Sequence, residues 1–400
     1  MSLRISDTSA ISNERRRHLA RLGMISIALG AVLGAISLVY REFRIARLRD
    51  EAVAAARRGD WERAAGSVDR LATYRTLDFE SIRIRSMAAL ARRDQLSAAR
   101  FLGMTPENSP LAAESFEQQG FLLRGLFRLQ EAESAFRRSL RLDPERTEAR
   151  RALVALLGLE RRGSEQEVEV WELLQRTPAK VEALRVLAHA GPAIPPDGLP
   201  PGLDEGEALT RAIEVEPENA HARAALAHYL RGRGRLEESE AILSGGPSAS
   251  DAILLERLAN RVEAGDSDAS ARLLEELKAR EGIDSDARFH RLRGDHLASV
   301  GKFEEALTAY GRSREIDPRG VELRYRIGQA RLAAGDTSRA EQDLAYASAN
   351  RTLEGLVARM PDGAPNPADA LEAARLCRMM EREREAEAWA ALAGTAGNRR

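Results

Sequence analysis

The stretch Ala287–Gly320 reads ARFHRLRGDHLASVGKFEEALTAYGRSREIDPRG. Counted from one, it places Gly294 at position 8, Gly301 at 15, Phe303 at 17, Ala306 at 20, Tyr310 at 24, Ser313 at 27 and Pro318 at 32. The same frame recurs without adjustment. Started at Val321, it puts Gly328, Gly335, Ala340, Leu344 and Ala347 at 8, 15, 20, 24 and 27. Started at Ala113, it puts Gly120, Ala132, Phe136, Ser139 and Pro144 at 8, 20, 24, 27 and 32. From Ala220, after Pro217, it puts Ala227, Gly234, Leu236, Ser239 and Leu243 at 8, 15, 17, 20 and 24. Self-similarity at a fixed period of this length marks a chain built from stacked units.

The spacing has a physical reading. Small residues at 8 and 20 let two antiparallel helices approach, and a large side chain at 24 fills the space beside them. Position 15 lies in the turn, where glycine tolerates left-handed backbone. Proline at 32 ends the second helix. The pattern resembles the tetratricopeptide repeat, and the resemblance extends over most of the chain. Weaker copies start at Ile45 (Ala52, Gly59, Trp61, Ala64, Leu71), at Phe79 (Ala98, Leu102), at Asp251 (Gly265, Leu277) and at Pro367 (Ala374, Ala386). Thr147–Val186 reads as a degenerate unit with extra residues near Arg162 and Gly163, and eight to ten units are expected in all. The implied fold is all-α: a right-handed superhelical solenoid of antiparallel helix pairs, preceded by one N-terminal transmembrane helix.

That last expectation comes from Leu22–Tyr40, LGMISIALGAVLGAISLVY, which carries no charge over 19 residues. At 1.5 Å per residue such a helix covers roughly 28 Å, close to the hydrocarbon thickness of a bilayer. A buried soluble helix would interrupt its apolar face with polar residues. A cleaved signal peptide is the stronger rival, with small residues at Ala35-Ile36-Ser37, but the apolar run continues past that cut through Leu38, Val39 and Tyr40. Arginines lie on both sides, Arg4, Arg15, Arg16, Arg17 and Arg21 before it and Arg41, Arg44, Arg47 and Arg49 after it. Their slight excess at the N-terminal side predicts a short cytoplasmic tail and a repeat domain outside the inner membrane. Ser26, Gly30 and Gly34 recur every fourth residue, a spacing that would suit a homodimer through this helix.

The expected organisation is therefore a disordered tail over 1–18, a membrane helix over 19–41 and a first block of repeats over 45–190. A Pro/Gly-rich loop over 191–203 precedes central repeats over 204–350. A linker over 361–367 leads to a terminal helical pair over 367–394.

Composition narrows function by exclusion. The 400 residues carry 61 Lys plus Arg against 62 Asp plus Glu, which removes the basic footprint a nucleic-acid binder needs. Only Lys180, Lys278 and Lys302 are lysines, so arginine richness reads as coding bias in a GC-rich bacterial genome. Cys377 is the single cysteine, which excludes an intramolecular disulfide and a cysteine-rich zinc site. No phosphate loop, nucleophile elbow or H-E-x-x-H occurs, so no catalytic, metal or cofactor residue is assigned. His221 and His228 share a helix face, but their separation and the lack of a third ligand argue against a metal.

In the tetratricopeptide family, positions 2, 5, 9 and 12 line a concave groove that holds extended peptides or helices of partner proteins. The resemblance carries this role onto His221, His228, Arg231, Arg288, Arg291, Asp295, Glu322, Tyr325 and Gln329. The asparagines with which chaperone-binding members grip a terminal carboxylate are missing from these positions. The expected function is a membrane-tethered, non-catalytic scaffold for assembly or quality control of envelope complexes, with protein or peptide partners and the bilayer bound through 22–40. The alternatives are a cytoplasm-facing adaptor for a kinase or transcription factor, and a secreted binding module.

Overall fold

The computed structural model describes residues 8–74, 77–177, 180–189, 202–246, 250–361 and 365–397. Among them all regular structure is helical, and the chain divides into two compact units, Met1–Ser109 and Pro110–Arg400. In unit 1, α1 (Thr8–Arg57) pairs with α2 (Trp61–Ala72) and α3 (Phe79–Ala91) with α4 (Gln95–Gly103). Ile45, Leu48, Ala52 and Ala55 recur at helical spacing along one side of α1 and are buried with Ala64, Val68 and Leu71 of α2.

Unit 2 continues with α5 (Ala112–Gly125), α6 (Leu129–Leu142), α7 (Thr147–Leu159), α8 (Gly163–Arg176), α9 (Lys180–Ala188) and α10 (Glu205–Val215). Then come α11 (Ala220–Gly232), α12 (Leu236–Ser244), α13 (Asp251–Glu263), α14 (Ser267–Lys278), α15 (Ala287–Ser299) and α16 (Phe303–Ile316). It ends with α17 (Val321–Ala333), α18 (Thr337–Val357), α19 (Pro367–Met379) and α20 (Glu383–Gly397). From α5 to α8 and from α11 to α20, consecutive helices form hairpins.

The small-residue positions do what their spacing predicts. A Cβ on Gly120 would lie 2.5 Å from a ring carbon of Phe136, and one on Gly294 2.4 Å from a ring carbon of Tyr310. In both units position 8 is bare so that the ring at 24 can lie on the backbone. Ala306, Ala132 and Ala340, at position 20, are fully buried. At 27, Ser139 and Ser313 donate their hydroxyls to the carbonyls of Ala113 and Ala287, at position 1, each at 2.7 Å. Serine there ties the end of the second helix to the start of the first.

Position 15 is left-handed in all nine described hairpins. Glycine fills it at Gly59, Gly234, Gly265, Gly301 and Gly335, with φ between 72° and 87°. Arg93, Phe127, Arg161 and Glu381 hold the same conformation, with φ of 59° to 61°. Their presence shows that the turn is imposed by helix packing and glycine only eases it. The next residue is an N-cap aspartate in several units: Asp60, Asp94, Asp266 and Asp336 each accept from the backbone N–H three residues on.

One expectation is revised. Thr147–Val186 contains no extra residues near Arg162: α7 and α8 form a hairpin of ordinary register, with Arg161 at position 15. The unit looked degenerate because Gln166 occupies the small position 20, where its amide donates to the carbonyl of Val154 at 3.0 Å. The series of hairpins is also interrupted, since α9 packs on α8, α18 and α20, and α10 packs on α11. Val181, Leu184 and Leu187 of α9 share a core with Leu353, Ala373, Cys377 and Trp389, so unit 2 closes on itself. Arg319 fastens this seam: it pairs with Glu167 and Glu385 at 3.1 Å, donates to the carbonyl of Leu187 and accepts on its own carbonyl from Arg382. A second seam joins the α7–α8 turn to α10 and α11 through Arg161–Glu205 at 2.9 Å and Asn219–Glu160 at 3.0 Å.

The uncharged stretch lies wholly within the helical span of α1. Among the described residues no helix is long and apolar enough to cross a membrane, and the side chains of 22, 23, 25–28 and 30 lie outside those described. The Ser26–Gly30 part of the small-residue stripe therefore lies outside them too, as does nearly all of the 191–203 loop.

Two predictions follow from the hairpin geometry. Gly120→Ala should destabilise by about 1–3 kcal/mol in urea unfolding, and Gly120→Ala with Phe136→Leu should recover part of that loss. Arg93→Gly should raise stability by up to about 1 kcal/mol, because it relieves left-handed backbone at an exposed turn.

Candidate partner-binding face

The nine residues assigned to the groove differ in what holds them. On α11, His221 and His228 are half-buried and Arg231 is buried. On α15, Arg288 and Arg291 are half-buried and Asp295 is buried. On α17, Glu322, Tyr325 and Gln329 are exposed, Tyr325 at 46%. Exposure of these positions is thus greatest on α17.

The buried members are committed to neighbouring helices. Arg231 donates to Glu256 at 2.5 Å and to Asn260 at 3.1 Å, both on α13, and to Nδ1 of His228 at 2.9 Å. Asn260 in turn exchanges hydrogen bonds with Ser239 of α12. Asp295 accepts from the hydroxyl of Tyr310 at 2.8 Å, from Arg291 at 3.1 Å and from Arg326 of α17 at 3.2 Å. Arg326 also donates to Glu322 at 3.0 Å. Burying Asp295 without these donors would cost several kcal/mol, so the cluster is a structural clasp between α15, α16 and α17. Arg288 is held by Asp286 at 2.7 Å. Among the described residues Tyr325 and Gln329 make no such commitment, nor does the half-buried ring of His221.

Electrostatics follow the same division. Burial pushes the Glu256 carboxyl up, but the charges and hydrogen bonds of His228 and Arg231 outweigh it and bring it down to about 2. Burial, then the positive charges of Arg162 and Arg288, hold His221 below the ordinary histidine range. Glu322 is lowered: burial acts to raise it, and Arg291 and Arg326 prevail. The Cys377 thiol is pushed up to about 12 by burial, which suits packing and not nucleophilic chemistry. Among the described residues no group of three or more His, Cys, Asp or Glu could hold a metal ion.

Several participants were not singled out from sequence. Glu256 and Arg326 sit at position 6 of their units, and Asn260 at position 10, outside the groove frame. A recurrent device also sits at position 4. Arg150 and Arg223 donate to the carbonyls of Pro144 and Pro217, six residues back, at 3.1 and 2.8 Å, and Nε2 of His290 lies 2.9 Å from that of Asp284. The Pro-x5-Arg spacing was the available signal. It satisfies a carbonyl that the end of the preceding helix leaves without a partner.

A carboxyl held below its ordinary value stabilises the fold above that value and loses the contribution on acidification. For Glu256 the loss should begin near pH 4.5 and continue towards 2. It should amount to about 3 kcal/mol. Glu256→Gln should flatten that part of the stability–pH curve, measured by urea unfolding at stepped pH.

A family model of the tetratricopeptide repeat matches residues 113–146, the unit formed by α5 and α6. Among solved structures, the human IFIT1 dimer with PPP-AAAA is similar at 13% identity and a TM-score of 0.35, over 89% of this chain and 94% of that one. A tetratricopeptide repeat protein from Parabacteroides merdae is similar at 17% identity and a TM-score of 0.30, over 63% of this chain and 98% of that one. The Cut9–Hcn1 hetero-tetramer of APC/C is similar at 15% identity and a TM-score of 0.33, over 86% and 64%. No curated protein matches the chain. With TM-scores this low, the structural likenesses carry no argument on arrangement or partner. What the family match establishes is one tetratricopeptide repeat, at 113–146, in a chain whose other eight described hairpins share its left-handed turn.

Proposed function

We propose that this chain is a non-catalytic, membrane-tethered repeat scaffold of a bacterial envelope. The observation that carries the reading is the state of α1. Leu29, Val32, Leu33, Ile36, Leu38 and Val39 are each more than half exposed. Fewer than two turns after Val39, at Ile45, the same helix is buried in the first hairpin. Leaving a contiguous apolar surface of that size in water is unfavourable, and a bilayer covers it on all sides. Gly30 and Gly34 would let a second α1 approach closely, which gives homodimerisation a route.

The repeats supply the binding function. An extended peptide or helix of a partner protein would lie along α11, α15 and α17. Tyr325 would anchor it, and Gln329, His221, His228, Arg288, Arg291 and Glu322 would offer polar contacts. Arg231 and Asp295 would hold the helices in register beneath it. The mechanism is tethering: an anchored array raises the effective concentration of whatever it holds beside the membrane.

Protease treatment of intact spheroplasts, combined with the mass of the membrane-fraction protein, tests the reading. Full-length protein in the membrane fraction with its repeats digested from outside is the expected result, and places the partners in the envelope. Full-length protein protected from protease would instead favour a cytoplasm-facing adaptor. A shortened N-terminus with the repeats in the soluble fraction would overturn the tether.

A further inference from the structure

We infer that the end of unit 1 next to the uncharged stretch is a docking surface for anionic phospholipid headgroups. The inference rests on the tethered reading of α1 and adds to it a second contact with the bilayer, made by folded repeats.

The geometry starts at Arg41, the first residue after the stretch. Its Nη2 donates to the carbonyl of Tyr74 at 2.7 Å, which draws the α2–α3 loop level with the point where the apolar run ends. From that loop α3 runs away and α4 returns antiparallel to it, so Met104, at the end of α4, comes back to the same end of the unit. Tyr40, Phe43 and Met104 are exposed by 59%, 64% and 58%. Arg44 lies 5.9 Å from the centre of the Tyr40 ring, and Tyr74 stands near its guanidinium. The nearby carboxylates Asp78 and Glu80 are drawn to Arg49, at 3.9 and 3.1 Å. Glu42 is exposed and is the one neighbouring acid in α1 that opposes the charge of Arg41 and Arg44. Neither Arg41 nor Arg44 pairs with a carboxylate among the described contacts.

Aromatic rings, a methionine and carboxylate-free arginines at this level are the composition that settles at a membrane interface. The charge of the unit points to anionic lipid. Between Arg41 and Ser109 there are 14 arginines against 10 acidic residues, whereas residues 110–400 hold 42 basic against 50 acidic. The basic excess therefore belongs to the segment that the anchor holds against the bilayer. Each arginine brought to an anionic surface should favour the docked state about fivefold.

The test uses the full chain in phosphatidylcholine vesicles with or without phosphatidylglycerol. A thiol-reactive fluorophore is placed at Met104→Cys or, at the opposite end of the hairpin, at Gln95→Cys; buried Cys377 stays unlabelled. Quenching by headgroup spin-labelled lipid is read after flotation. Expected is stronger quenching at 104 than at 95, dependent on phosphatidylglycerol. Arg41→Ala and Arg44→Ala should each lower the docked-to-free ratio about fivefold, and Arg58→Ala should leave it unchanged. Arg44→Ala leaves the Arg41–Tyr74 hydrogen bond in place, and Arg44→Lys, which keeps the charge, should leave the ratio unchanged, so a fivefold loss with Ala alone reports the charge. Equal quenching at both sites, or quenching at 104 indifferent to phosphatidylglycerol and both arginines, overturns the inference while the tether stands. Failure of the protein to float with the vesicles overturns the tether and the inference together.

Discussion

In the α5–α6 and α15–α16 hairpins the approach of the two helices is set by one contact. At Gly120 and Gly294 the backbone lies so near the ring of Phe136 or Tyr310 that a single methyl group would intrude. The close contact sets the spacing of the pair, and the left-handed turn is common to all nine described hairpins, with or without glycine at position 8. In these two hairpins Ala132 and Ala306 hold position 20, while the aspartate caps belong to other units, as at Asp60 and Asp94. The left-handed turn does not depend on the glycine at position 8: Phe127 adopts it in a hairpin with Gly120 there, and Arg161 in one with Val154 there. Interior packing is dense enough that a local demand of this kind outweighs residue preference.

These contacts explain what could be read in the sequence. Glycine and alanine at 8 and 20, the aromatic at 24 and serine at 27 are local signals, and the structure gives each a contact. Gln166 was misleading because a polar side chain at a small position looks like a break until its carbonyl partner on Val154 is seen. Closure of unit 2 could not be read. It depends on Arg319 meeting Glu167, Leu187 and Glu385, residues far away in the chain that no periodicity relates. The groove was partly legible: the frame located a helix face, but whether a polar residue on it faces solvent or clasps its neighbour depends on partners at position 6, such as Glu256 and Arg326.

The balance of charge acquires meaning in this light. A net charge near zero conceals a division of labour among the arginines. Some, like Arg150 and Arg223, satisfy carbonyls at the ends of preceding helices. Others, like Arg231 and Arg326, join one hairpin to the next across otherwise polar gaps. The alanine-rich helices bury little surface each, so specificity of stacking falls to these planar, multidentate side chains.

The seam at α9 has a bearing on how the protein comes to be folded. Hairpins join neighbours in sequence, so each closes a short loop and can form as soon as its residues are available. Arg185 reaches the carbonyl of Met360, 175 residues later, and so closes a far longer loop than any hairpin does. During synthesis the apolar face of α9 must therefore wait, uncovered, for α18 and α20. Hairpin contacts are thus of low sequence separation and the α9 seam of high, so the seam is the part of unit 2 whose formation costs the most chain entropy.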